Sequence, residues 1–257
     1  MYKWLIKFLE NDIEDKNFIR YVVRFLKSGI MEKEVIKESL RGTPQGGLIS
    51  PVLANVYLHY VLDMWVEKWI KPRAKGYVEI VRYADDFIVM FQYENEAKSF
   101  YEVLKKRLLK FNLELEGSKT RIIPFGRFKG SKESFDFLGF THINAKTRKG
   151  KYIVKHKTSK RKMKTKRKEF KMWMKDNMHK PVYEIMETIK RKLIGHYNYY
   201  GINNNSKSIC NYYMYVKWNT YRILNRRHQK KSMSYEIFNR IWNGFSMPIS
   251  HIKVNID

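Results

Sequence analysis

The stretch YVEIVRYADDFIVMF, Tyr77 to Phe91, places two runs of β-branched and aromatic residues on either side of Ala84-Asp85-Asp86. Strand-forming runs of this length around a short polar step predict a β-hairpin with the two acids at its tip. Upstream, Ser50-Pro51 predicts a helix start, with serine as the cap and proline at the first helical position; Leu53, Val56, Tyr60, Val61 and Met64 mark its apolar face. This segment, Ile49 to Ile70, is interrupted every fourth residue by Asn55, His59, Asp63 and Glu67. The interruption predicts an amphipathic helix of a soluble protein and excludes a membrane span. Nearer the start, Trp4, Leu5, Phe8 and Leu9 share one helical face, and Phe18, Val22, Phe25 and Leu26 share another before Ser28-Gly29 ends the run. Arg41 to Gly47, RGTPQGG, reads as a loop. Downstream, Ala97, Tyr101, Leu104, Leu108 and Phe111 predict another helix, and Leu113–Leu115 and Thr120–Ile123 predict further strands. This order predicts an α+β layer, with helices on one face of a mostly antiparallel sheet.

The 257 residues carry 52 Lys and Arg against 25 Asp and Glu, a formal net charge of +27. That excess excludes an ordinary neutral metabolic domain and points to a polyanionic partner. Hydrophobic residues at 44% and aromatics at 15% supply a core and exclude whole-chain disorder. The single cysteine, Cys210, allows neither an internal disulfide nor a Cys-rich zinc site, so a reducing, cytoplasmic location is expected. Lys3 and Lys7 break the first apolar stretch, which leaves no signal-peptide core.

Charge is uneven along the chain. Residues 1–140 hold 24 basic and 19 acidic residues, whereas residues 141–257 hold 28 and 6. The run Lys155 to Lys175 has 11 basic residues in 21, opposed only by Glu169. A solvated charged face is one reading of that run. The other is RNA binding, favoured by the aromatics within and beyond it: Phe170, Trp173, Tyr197, Tyr199, Tyr200, Tyr212, Tyr213, Tyr215, Trp218 and Tyr221. Many of these belong to a core, because Leu193, His196, Tyr197 and Tyr200 share a helical stripe; His196 reads as a satisfied structural residue. Three helices are predicted, near 182–200, 207–229 and 234–244.

An Asp-Asp pair alone reads as a wet hairpin tip. Flanking by apolar strands rather than turn-forming Gly or Asn favours a second reading, in which a sheet edge presents carboxylates rigidly to divalent metal and phosphate. Neighbouring residues point to opposite faces of a strand, so one acid is the better ligand, and Asp85 is favoured.

RGTPQGGLISP from Arg41 to Pro51, the Tyr83–Asp86 YADD box, Lys119-Thr120 after a helix, and Phe137-Leu-Gly-Phe140 follow one another in the order of reverse-transcriptase palm motifs. The chain resembles group II intron reverse transcriptases, the intron-encoded maturases. LIGHYNYYG from Leu193 to Gly201 and LNRR from Leu224 to Arg227 are similar to that family's maturase or thumb segment. The resemblance implies an RNA-directed DNA polymerase that also binds and helps splice its intron RNA. It implies a partial palm over 1–140, a basic connector over 141–180 and an all-α thumb or maturase domain over 181–257. It further implies metal binding by Asp85 and Asp86, two Mg2+ ions, and Lys119 beside the triphosphate. Pro44, Gln45, Gly46, Tyr83 and Ala84 would bind nucleotide and template, and Leu138, Gly139 and Phe140 would form the primer grip. Lys160, Arg161, Lys162, Lys164, Lys166, Arg167, Lys168, Arg226 and Arg227 would bind RNA. The implied partners are intron RNA, an RNA template with DNA primer, and deoxynucleoside triphosphates; no membrane is among them.

The family's first palm motif, with its metal-binding Asp, and its fingers domain have no counterpart in these residues. Asp12 and Asp15 lie beyond that motif and read as solvent-facing acids. A truncated polymerase, inactive or severely impaired by itself and completed by an N-terminal fingers/palm fragment, is therefore expected. A non-catalytic RNA-binding splicing cofactor is the alternative, and a degenerate reading frame without a stable product is a third.

Overall fold

The computed structural model describes residues 2–27, 30–32, 35–37, 49–128, 132–227 and 233–255. The chain divides into two compact units, Met1–Ile123 and Pro124–Asp257. Its helices and small antiparallel sheets make it an α+β protein.

The first unit begins with α1 (Tyr2–Asp12) and α2 (Lys16–Lys27). Asp15 starts α2 as its cap: its carboxylate accepts from the backbone N–H of Asn17 at 2.8 Å and of Phe18 at 3.2 Å, which satisfies donors that the first turn leaves open. Asp12 is likewise engaged, accepting from the Tyr60 hydroxyl. A short antiparallel pair, β1 (Ile30–Glu32) and β2 (Val35–Lys37), comes next.

Helix α3 (Ser50–Leu58) runs on through two π-helical turns, His59–Asp63 and Val66–Ile70, and a 3-10 turn, Lys71–Arg73. Its start differs from expectation. Ile49 occupies the cap position in a helical conformation, without a side-chain cap bond, and Ser50-Pro51 already lie in the first turn. Each π turn carries an extra residue and rotates the later side chains about the helix axis. The buried face accordingly runs through Leu53, Tyr57, Val61, Leu62, Trp65 and Val66, while the expected Tyr60 and Met64 are only half-buried.

The predicted hairpin is present as β3 (Val78–Tyr83) and β4 (Asp86–Phe91). Helix α4 (Glu94–Lys110) packs behind it and buries Phe100, Leu104 and Leu108. The inner face of the hairpin, Ile80, Phe87, Val89 and Phe91, packs on a core built from Leu5, Leu9, Val22, Val61 and Leu104. Residues 113–123 form no strand. Leu113 and Leu115 pack on that core instead, so the period-2 pattern there marks which side chains are covered, with no strand partner among the described residues.

The second unit holds a three-stranded antiparallel sheet, β5 (Ser134–Phe137), β6 (Phe140–Lys146) and β7 (Tyr152–Thr158), then α5 (Lys160–Asn177), α6 (Val182–Tyr200), α7 (Ser206–Asn225) and α8 (Tyr235–Gly244). Phe170, Ile185, Leu193, Tyr197, Ile209, Phe238 and Trp242 lie in its core. Where β7, α6 and α7 meet, the fully buried Asn205 accepts from the Thr158 backbone N–H (2.8 Å) and donates to the Thr158 hydroxyl (2.9 Å) and the Tyr200 carbonyl (2.8 Å).

Candidate functional site

The hairpin register pairs Tyr83 with Asp86, leaving Ala84 and Asp85 as a two-residue loop. Ala84 adopts a φ of 54°. An L-residue in that region carries strain of order 1–2 kcal/mol, so something must hold the turn. Arg82 does so. Its Nη1 donates to the Ala84 carbonyl at 2.8 Å and to Asn55 Oδ1 at 2.9 Å, while Nε and Nη2 grip Asp63 Oδ1 and Oδ2 at 2.7 and 2.6 Å. The Arg82 and Asp63 side chains retain 12% and 23% of their exposure. This two-pronged guanidinium–carboxylate geometry is among the stronger polar contacts a protein makes. Asp63 belongs to the first π turn and also faces His59 Nδ1 at 3.3 Å.

Sequence reasoning missed Arg82 and Asp63 as functional residues. Their signal was the polar stripe at 55, 59 and 63, which reads as a solvent face until the buried side of the hairpin is known. Asp85 and Asp86 themselves are exposed. Among the described residues their carboxylates accept no hydrogen bond and meet no cation within ion-pair reach, so their oxygens stand open to a ligand. Asp86 shares the outer face of the hairpin with Tyr83, whereas Asp85 occupies the loop.

Oxygen donors of this kind suit a hard divalent cation. The pair fits such an ion, but among the described residues no group of three or more His, Cys, Asp or Glu side chains is arranged to hold one. Lys119 is exposed in a turn whose backbone closes on the Glu116 carbonyl at 3.0 Å. The Ser118 hydroxyl and backbone N–H, with Lys119 adding to them, hold the Glu116 carboxyl below its ordinary range. Lys119 makes no ion pair with either acid. Pro44, Gln45 and Gly46 lie outside the described residues.

In the second unit, Leu138 and Gly139 form the loop between β5 and β6, both with positive φ (48° and 80°). A two-residue loop of that kind matches the right-handed twist of its strands but favours Asn-Gly. Neighbours hold Leu138 there. The Tyr199 hydroxyl donates to its carbonyl at 2.8 Å, Ser159 N–H donates to the Gly139 carbonyl at 2.9 Å, and the Phe140 ring stacks on Tyr199 at 5.8 Å. A Cβ at Gly139 would sit 3.0 Å from the Tyr200 hydroxyl.

The basic candidates do not form one patch. Lys160, Lys164, Arg167 and Lys168, joined by Lys171, line a cleft of about 600 Å3 between α5 and α7, opposite Ser208, Asn211 and Tyr215. Arg161 and Lys162 lie elsewhere on α5. Lys166 turns inward, 5.3 Å over the Tyr200 ring, and burial lowers its pKa. Arg226 and Arg227 stand beyond the far end of α7, roughly 22 Å along the helix from Asn211 at 1.5 Å per residue, and Arg227 donates to the His179 carbonyl at 3.1 Å.

Of the aromatics, Phe170, Tyr197, Tyr200 and Tyr212 are core, while Tyr199 and Trp218 remain half exposed. His196 is buried as expected, stacked on Tyr212 at 4.1 Å. Among the described residues, however, neither ring nitrogen has a hydrogen-bond partner. Burial, with Lys166 nearby, pushes its pKa down to about 3.

Comparison with known proteins bears on these sites. The profile of the family described as reverse transcriptase (RNA-dependent DNA polymerase) matches residues 4–142, just over half of the chain. The group II intron-encoded protein LtrA of Lactococcus lactis subsp. cremoris is 26% identical over 152 residues, covering 52% of this chain and 25% of that protein. The putative COX1/OXI3 intron 1 protein of Saccharomyces cerevisiae is 42% identical over 76 residues, covering 29% of this chain and 9% of that protein. Protein YkfC of Escherichia coli is 23% identical over 185 residues, covering 60% of this chain and 46% of that protein. The chain thus spans about a quarter of LtrA and under half of YkfC.

Proposed function

This chain belongs to the reverse transcriptase (RNA-dependent DNA polymerase) family and resembles its group II intron-encoded members, and from that premise we propose that it carries the catalytic hairpin of an RNA-directed DNA polymerase together with an RNA-binding maturase-type region. The single observation that supports the polymerase reading is the YADD turn, whose backbone Arg82 ties to Asp63 through the Ala84 carbonyl while its two carboxylates stand open. Asp85 and Asp86 would hold Mg2+. When bound, that ion neutralises triphosphate charge and favours ionisation of the primer hydroxyl. The hairpin itself would supply rigidity: Arg82 ties the turn's backbone at Ala84 to Asn55 and Asp63, which would limit the backbone reorganisation needed as charge develops. Lys119 would stand beside the leaving pyrophosphate, as a neutralising ammonium or proton donor. Pro44, Gln45 and Gly46, with Tyr83 and Ala84, would face the nucleotide and template, and the loop at Leu138, Gly139 and Phe140 would grip the primer end.

In this account residues 1–140 act as a partial palm, 141–180 as a basic connector and 181–257 as a helical thumb that grips RNA. Two carboxylates from one hairpin are a sparse ligand set for two ions. The 257-residue polypeptide by itself is therefore expected to extend primers poorly, and a fingers/palm fragment supplying a further carboxylate would raise its activity. The basic cleft between α5 and α7 supports a second function that survives without polymerisation, binding of intron RNA through phosphate contacts.

Primer extension on an RNA template with Mg2+ tests the first part. Activity, with or without an added family-typical fingers/palm fragment, should vanish in Asp85→Asn. Undiminished extension by that variant would refute the assignment. Loss of RNA affinity in Lys164→Gln/Lys168→Gln, with extension chemistry not required, tests the second.

A further inference from the structure

The first π turn, His59–Asp63, has a support from outside the candidate residues. At its end the Met64 N–H donates to the His59 carbonyl, five residues back, where an α-helix would send it to the Tyr60 carbonyl. The skipped carbonyl is met from α4. Arg107 Nε donates to the Val61 carbonyl at 3.0 Å, and its Nη2 donates to the Tyr60 carbonyl at 3.5 Å. The same guanidinium lies 4.7 Å from the Phe111 ring and 5.4 Å from the Trp65 ring, both of them buried. A basic residue in the last turn of α4 would suit the end of any helix. That role needs no bond to another element, whereas both of these bonds go to the widened stretch that continues α3.

Register shows what the widening does for the hairpin. Asn55 and Asp63 lie eight residues apart, and at about 100° per residue an unbroken α-helix would separate them by roughly 80° around its axis. One extra residue absorbed between them cuts the separation to roughly 20°. Both then meet Arg82, Asn55 at 2.9 Å and Asp63 at 2.7 and 2.6 Å, and Arg82 in turn holds the Ala84 carbonyl at 2.8 Å. A π turn that closed would carry Asp63 away from the guanidinium it grips. Such turns are rare, and one persists where a donor outside the helical ladder satisfies the carbonyl that the ladder passes over.

We propose that Arg107 is a positioning residue for the Asp85–Asp86 turn: from α4 it holds the π turn open, and the open turn keeps Asp63 in register to grip Arg82 and, through it, the Ala84 carbonyl. The path runs from Arg107 to the Tyr60 and Val61 carbonyls, along the turn to Asp63, and across to the hairpin. The brace stands on these contacts alone; its bearing on nucleotide addition rests on the polymerase reading.

Amide hydrogen exchange of the full chain, resolved over β3 and β4, is the test. Arg107→Met keeps the aliphatic stem beside Trp65 and Phe111 but removes the donors. It should accelerate exchange of the hairpin about tenfold, the scale of one lost hydrogen bond to a charged group. Arg107→Lys should recover part of this, because an ammonium lacks the planar fork that serves two acceptors at once. In an Arg82→Met background, Arg107→Met should add little, since the path it acts through is already cut. Leu104→Val is the control, a loss of packing on the same helix with every guanidinium bond kept, and should act equally in both backgrounds. If Arg107→Met loses the circular dichroism spectrum of the parent, Arg107→Lys enters the same cycle. Effects of Arg107 and Arg82 that simply add, as the control does, or parent-like hairpin exchange in a folded Arg107→Met, would overturn the proposal. Primer extension, with the fingers/palm fragment added where the parent requires it, should show kcat lowered about tenfold and KM for nucleotide little changed; a change in KM alone would overturn the positioning role. Silence of the parent with and without the fragment would sink the polymerase reading, while the exchange cycle would still decide whether Arg107 holds the turn.

Discussion

Replacing Arg82 by methionine keeps the aliphatic stem but removes every bond of the guanidinium: two to Asp63, one to Asn55 and one to the strained turn at Ala84. Opposite charges about 4 Å apart interact by roughly 4 kcal/mol at an effective dielectric of 20. Desolvation of both groups and the residual exposure of Asp63 offset about half of that. A coupling of about 2 kcal/mol between positions 82 and 63 is therefore expected, in a double-mutant cycle of Arg82→Met with Asp63→Asn. Loss of the bonds to Asn55 and Ala84 adds about 1 kcal/mol to the single Arg82 variant, giving about 3 kcal/mol in all. Amide hydrogen exchange resolved over β3 and β4 reads this locally. An opening free energy lowered by about 3 kcal/mol accelerates exchange of the hairpin roughly a hundredfold, and Arg82→Lys should recover only a minor part because an ammonium cannot grip two carboxylate oxygens in parallel. Exchange unchanged in the hairpin, or a coupling under about 0.5 kcal/mol, the level at which unconnected sites simply add, would show that Arg82 does not hold the turn.

The second unit offers further tests. Asn205→Ala strands the Thr158 N–H and the Tyr200 carbonyl in a buried setting, and urea denaturation should register a loss of about 3 kcal/mol. Leu138→Asn places a residue tolerant of positive φ before Gly139, and should raise stability by roughly 1 kcal/mol in thermal unfolding. His196 is held neutral in the fold, with a pKa about 3 against 6.5 for the free group. Between those values the unfolded chain binds a proton that the folded chain does not, so its contribution is fully present above pH 6.5 and is lost as pH falls. Going from about pH 7 to about pH 5 should cost about 2 kcal/mol through this group. A plot of unfolding free energy against pH for His196→Phe should be flatter than the parent's by that amount.

The hairpin was legible because Tyr77–Phe91 combines strand-forming residues on both sides of a polar step too short for anything but a turn. Helices α1, α4 and α6 are legible from their apolar period, and the burial of Leu193, His196, Tyr197 and Tyr200 agrees with one stripe, whereas α2 turns Ile19, Val22 and Leu26 inward and leaves the expected Phe18 and Phe25 exposed. The inner face of α3 was not legible, because each π turn shifts the register by a residue that no local pattern announces. Leu113–Leu115 looked like a strand since alternation records which side chains are covered, not whether a neighbouring strand exists. The sheet strands β6 and β7 lay within a stretch read for its charge; the alternation in Tyr152–Thr158 is plain once His142 is seen opposite His156. At the candidate site, the acids were visible in sequence and their support was not. Arg82, Asp63 and Asn55 are distant in the chain, and only the folded geometry turns an ordinary polar stripe into the brace of a turn. Tyr199 and Ser159 stand in the same relation to Leu138-Gly139.

Under the proposed function the Asp85–Asp86 turn would hold a divalent cation. Titration of the full chain with Mn2+, monitored by paramagnetic broadening of backbone amide resonances, tests it without requiring turnover. Broadening at Ala84, Asp85 and Asp86 in the millimolar range, displaced by excess Mg2+ and lost in Asp85→Asn, is the predicted result. Resonances of the turn that stay sharp at saturating Mn2+, or broadening that persists unchanged in Asp85→Asn, would contradict the assignment.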